Sequence, residues 1–178
     1  MQSPVERGIK AKEVALLGVF VAYALVMSLI ERMIPLNFSI PGMRLGLTNV
    51  VVLLALYLFP LHRALILMIL KCLLASIFSG SITALFYSLG GSLLSFIVMI
   101  ALIRLSREQI SPVGVSVTGA VFHNIGQILV ACLLFKSWVV LLYLPLLLLI
   151  GVGTGAVIGI LVLRLRPILV VYLKTRKE

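Results

Sequence analysis

The chain has 178 residues, 62% of them hydrophobic, with a mean hydropathy of +1.28 and a formal net charge of +10; apolar runs this long exclude a soluble domain and point to an integral membrane protein. All five acidic residues are glutamates (Glu6, Glu13, Glu31, Glu108, Glu178) and aspartate is absent, which excludes enzymes and pumps that hold magnesium, diphosphate or a phosphoryl group with clustered carboxylates. The basic residues are spread through short loops and the C-terminal tail, so the charge speaks for membrane topology and not for nucleic acid.

Residues 1–13, MQSPVERGIKAKE, are polar and read as a cytoplasmic segment, with no cleavage site behind the first apolar run that would make it a signal peptide. The first spanning helix runs from Val14 to Ile34. Ala11 and Ala15, then Gly18 and Ala22, form small-xxx-small pairs at its start, a spacing that lets another helix approach closely. Docking against a second membrane protein and packing inside the monomer both fit that pattern.

The second helix, Leu45 to Phe59, opens with PGMRLGLTN, in which Arg44 and Thr48 share one face and Asn49 sits beside them. Its guanidinium meets either an anionic solute or lipid headgroups. Pro60-Leu61-His62-Arg63 is a tight turn into the third helix, Ala64 to Phe78. These two short helices form a hairpin that barely spans the bilayer or sits partly inside the protein. Lys71 lies roughly 10 Å into the third helix at ~1.5 Å per residue; at that depth it either faces a cavity, an anion or a carboxylate, or snorkels.

The fourth helix, Ile82 to Ile103, carries a milder stripe of Tyr87, Ser88, Ser92 and Ser95, whose serines read first as packing residues. The fifth, Val113 to Phe135, contains AVFHNIGQIL: His123 and Gln127 share a face and Asn124 lies beside them. They line a ligand cavity or glue helices together by hydrogen bonds. The sixth, Trp138 to Leu163, carries Gly151, Gly155 and Gly159 as GxxxGxxxG, which reads as internal packing. Residues 164–178 are a basic tail expected on the inner membrane surface, among anionic lipids. Cys72 and Cys132 are single residues in apolar runs, without zinc or disulfide spacing.

Charge counting orients the bundle. With the N-terminus inside, eleven of the fifteen Lys and Arg residues fall on the cytoplasmic side, and Arg32, Arg44 and Lys136 fall outside. The expected fold is therefore a single all-α transmembrane domain of six helices over residues 14–163, with both termini cytoplasmic.

Arg44, Thr48, Asn49, Lys71, Tyr87, His123, Asn124 and Gln127 all fall between mid-membrane and the outer side on this topology. They describe a pocket opening outward, cationic and hydrogen-bonding and without a carboxylate, suited to a small anionic or polar aromatic solute. A proton or sodium pump would want Asp or Glu at that depth. No GxxxxGK[ST] motif is present, and GVGTGAVIG has no lysine to reach a phosphate, so the chain does not hydrolyse ATP alone. No inverted repeat is visible either. A solute-binding subunit energised by a partner fits these absences; no cofactor or metal is expected.

At PGMRLGLTNVVVLLALY, FYSLGGSLLS and GVSVTGAVFHNIGQILVA the chain resembles the bacterial family labelled heptaprenyl diphosphate synthase component I or Gx transporter, along essentially its whole length. That family is similar to the S components of energy-coupling factor (ECF) transporters. The resemblance implies a six-helix protein of the bacterial inner membrane that binds a vitamin or precursor from outside. It also implies docking, through small residues such as Ala11, Ala15, Gly18 and Ala22, to a transmembrane coupling protein bearing two ATPases. The synthase label implies instead a membrane accessory subunit beside a soluble prenyl synthase, with Lys71, Arg44 and Arg63 as cations for a prenyl diphosphate. A catalytic role conflicts with the missing aspartates, which trans-prenyl synthases use to hold magnesium and diphosphate.

Overall fold

A computed structural model of the chain describes residues 4–33, 46–106 and 109–175. Among them are six α-helices: α1 (Pro4–Met33), α2 (Asn49–Leu58), α3 (Leu61–Ser79), α4 (Ile82–Leu105), α5 (Pro112–Phe135) and α6 (Leu144–Thr175), with a 3-10 segment (Trp138–Tyr143) leading into α6. The helix starts follow local chemistry. Ser81 Oγ accepts the Ala84 amide at 3.3 Å and Ser111 Oγ accepts the Gly114 amide at 3.2 Å, with Pro112 at the first position of α5. Gly80, at φ +64°, closes α3 in the left-handed region.

Five of the helical stretches are long and apolar enough to cross a membrane, which makes this a multi-pass membrane protein. Its surface is the apolar side: Ile66, Ile77, Leu133, Leu149 and Val157 are exposed, whereas Lys71, Ser92, His123, Asn124 and Gln127 are buried. The α5 helix lies between α4 and α6, and α2 touches α1, α3, α4, α5 and α6.

The second helix departs from the expected short span. At ten residues, α2 is about 15 Å long, half the ~30 Å hydrocarbon thickness. Every residue from Asn49 to Ala55 is buried, and a helix that is apolar all round belongs in an interior. Its start is delayed by the turn at Gly46, whose φ of +81° suits glycine, with the Asn49 amide closing onto Gly46 O at 2.8 Å. Pro60 ends it, leaving Phe59 extended. The α6 helix departs in the other direction: it continues past Leu163 and through Pro167 to Thr175. There the Arg166 guanidinium stacks over the Tyr57 ring of α2 at 4.4 Å.

The two sets of small residues separate. On α6, a Cβ added to Gly155 would sit 2.7 Å from Val117 Cα, and one on Gly159 would run into Val113 Cα. These glycines let α5 and α6 touch backbone to backbone, as expected. On α1 the buried face is Phe20, Ala24, Ser28 and Glu31, while Ala15, Gly18 and Ala22 are exposed. A Cβ on Gly18 meets nothing within 4 Å. The α1 small residues therefore do not serve packing inside this bundle; the side chain of Ala11 lies outside the described residues.

Gly159→Ala should lower unfolding stability by about 1–3 kcal/mol through overpacking, whereas Gly18→Ala should leave it unchanged or slightly raised through helix propensity. Denaturant unfolding of the two variants in the same detergent checks the contrast.

Candidate functional site

An ammonium ion inside an apolar bundle persists only where acceptors replace its water. Lys71, 3% exposed on α3, has them at the start of α2: its Nζ donates to Asn49 Oδ1 at 2.9 Å and to Thr48 Oγ1 at 3.2 Å. The half-length of α2 makes this contact, because the helix begins at the middle of α3 and not at its end. Snorkelling is thereby excluded in this structure.

A second charge joins the cluster. The Gly46 amide donates to Glu31 Oε1 at 2.5 Å, and Glu31 is buried, 8% exposed, at the C-terminal end of α1. The set of polar residues expected to lack a carboxylate thus includes one, and the exclusion of proton or sodium coupling that rested on its absence falls. The helical spacing Phe20, Ala24, Ser28, Glu31 puts Glu31 on the inward stripe of α1, a signal present in the sequence but hidden by treating that end of the helix as an outer boundary.

The α5 helix supplies the neutral groups. The Gln127 amide donates to His123 Nε2 at 2.7 Å, one turn apart on one face. The His123 ring packs against two glycines: a Cβ on Gly46 would lie 3.1 Å from Cδ2, and one on Gly91 of α4 would lie 2.9 Å from Nδ1. A Cβ on Gly46 would also lie 2.9 Å from Asn49 Nδ2. Glu31, Thr48, Asn49, Lys71, His123 and Gln127 consequently form one connected cluster around Gly46.

The remaining expected residues lie elsewhere. Asn124 turns to the other side of α5, where Nδ2 donates to Leu147 O at 2.6 Å and tethers α6. Tyr87, 1% exposed, sits in a separate apolar cluster with Ile128, Ala131 and Leu147. Arg44 lies outside the described residues. The serine stripe of α4 packs inward, with the Cys72 thiol donating to Ser92 Oγ at 3.4 Å across α3 and α4. Among the described residues no group of three His, Cys, Asp or Glu side chains is placed to hold a metal ion.

The family model for heptaprenyl diphosphate synthase component I matches residues 20–165. The chain belongs to that family. The matched stretch contains the whole polar cluster, from Glu31 to Gln127, and of the small residues on α1 it includes Ala22 but not Ala11, Ala15 or Gly18. No curated protein and no solved structure matches this component I family member.

The cluster should behave as a coupled unit. Asn49→Leu removes the nearer acceptor of the Lys71 ammonium, leaving Thr48 Oγ1 in place, and should cost about 1.5–3 kcal/mol, the worth of a hydrogen bond to a charged group. Adding Lys71→Met should recover much of that loss. A double-mutant cycle measured by denaturant unfolding checks it; additive losses would mean that the two side chains do not interact.

Proposed function

We propose that this chain is the solute-binding membrane subunit of a transporter in the bacterial inner membrane. It spans the membrane with both termini cytoplasmic and takes up a small precursor or vitamin-like solute. The observation that carries this reading is the buried cluster: charged and hydrogen-bonding side chains from α1, α2, α3 and α5 converge where a purely structural bundle would place apolar residues. Thr48, Asn49, Lys71, His123 and Gln127 contact the solute, and Glu31 joins them. Asn124 and Tyr87 hold the helices that carry the site. The energy comes from a transmembrane coupling protein with ATPases, docked on the exposed Ala15, Gly18 and Ala22 face of α1.

The family description speaks more directly for a second reading, a membrane accessory subunit of heptaprenyl diphosphate synthesis. In that role the chain is non-catalytic, since it has no aspartate to hold magnesium and diphosphate. It anchors or tunes a soluble synthase.

The readings part on two observables. Gly18→Leu combined with Ala22→Leu should leave folding and solute binding intact while abolishing uptake and co-purification of the coupling protein. Alanine at Lys71, His123 or Gln127 should remove both binding and uptake in correctly inserted protein. If these variants transport normally, and a soluble synthase co-purifies and changes its product chain length when this chain is absent, the accessory reading replaces the first.

A further inference from the structure

The cluster holds two opposite charges, and their arrangement selects a chemical class of ligand. We propose that it is a two-ended site for a small dipolar solute, with Lys71 and Asn49 receiving the acid group and Glu31 receiving the basic nitrogen. The inference rests on the solute-binding reading of the same site and narrows it.

The acid end is set by donors. Lys71 Nζ bonds Asn49 Oδ1 at 2.9 Å, so the other atom of that amide, Nδ2, lies on the same side chain beside the ammonium. Asn49 is 6% exposed, and Nδ2 has no hydrogen-bond partner among the described residues. It faces the Gly46 surface, where the His123 ring also lies. A buried amide donor without an acceptor costs about 1–3 kcal/mol, so an oxygen arriving there relieves a standing penalty and meets the ammonium as well.

The basic end is set by Glu31, whose carboxylate holds the Gly46 amide across the same glycine. A ligand N–H meets there a carboxylate already fixed in place by the Gly46 amide. A plain anion would put like charge against Glu31, and a plain cation would put like charge against Lys71, both inside an apolar bundle where such juxtapositions are least screened. A solute carrying both charges sets opposite charge against each end.

The test uses the full chain in lipid nanodiscs and a panel of free α-, β-, γ- and ε-amino acids, each paired with its N-acetyl and its carboxamide counterpart. Binding is read by titration. At least one free amino acid should bind, with each single-charge counterpart weaker by about 10-fold or more, as loss of a charged hydrogen bond requires. Glu31→Gln should erase the discrimination against the N-acetyl form, and Lys71→Met the discrimination against the carboxamide. The comparison on unmodified protein stands even if a variant fails to fold. Equal binding of a single-charge counterpart overturns the dipolar inference while leaving solute binding in place, and absence of binding across the whole panel overturns it and counts against the solute-binding reading as well.

Discussion

The Lys71 ammonium sets the terms for the rest of the bundle. A charge at that depth needs oxygen acceptors within hydrogen-bond reach, and the chain supplies them from Thr48 and Asn49 at the first turn of α2. That requirement fits the otherwise odd proportions of α2. The helix is ten residues long and starts beside the middle of α3, and it is buried on every face from Asn49 to Ala55. Gly46 makes the entry turn possible, and its lack of a side chain leaves room for the His123 ring and the Asn49 amide on one flank. One glycine thus serves backbone geometry and the assembly of the cluster together.

The α5 helix divides its labour by face. His123 and Gln127 look toward Gly46 and Gly91, where the polar cluster lies, while Asn124 bonds the Leu147 carbonyl and fixes α6. Close approach through Gly155 and Gly159 continues that contact along α6. The α1 helix is different. It touches only α2 and α3 among the described helices, and its Ala15, Gly18 and Ala22 are exposed. It also contributes the buried carboxylate of Glu31 to the cluster.

Long apolar runs with capping signals were legible in the sequence. The expected Ile82–Ile103 and Val113–Phe135 correspond to Ile82–Leu105 and Pro112–Phe135, whose starts Ser81 and Ser111 cap. The α2 boundary was not, since nothing in LGLTNVVV distinguishes a spanning start from a glycine turn that delays the helix to Asn49. The expected end of the sixth helix at Leu163 fell short, because α6 continues through Pro167 to Thr175. Within the site, Lys71, His123 and Gln127 stood out because polar residues in apolar runs are expensive. Glu31 did not, because next to Arg32 it reads as an interfacial residue. Asn124, one position from His123, shows how the 3.6-residue period sends neighbours to different helices.

Family membership names a synthase component, and the buried polar cluster supports the proposed solute site. Both are compatible with a non-catalytic membrane protein, and they differ in what the protein holds. Native mass spectrometry of the gently purified chain asks that question most directly. The account predicts a small-molecule adduct, released on heating and absent from Lys71→Met. A spectrum containing only lipid adducts and a bound soluble synthase, unchanged by that substitution, would contradict it.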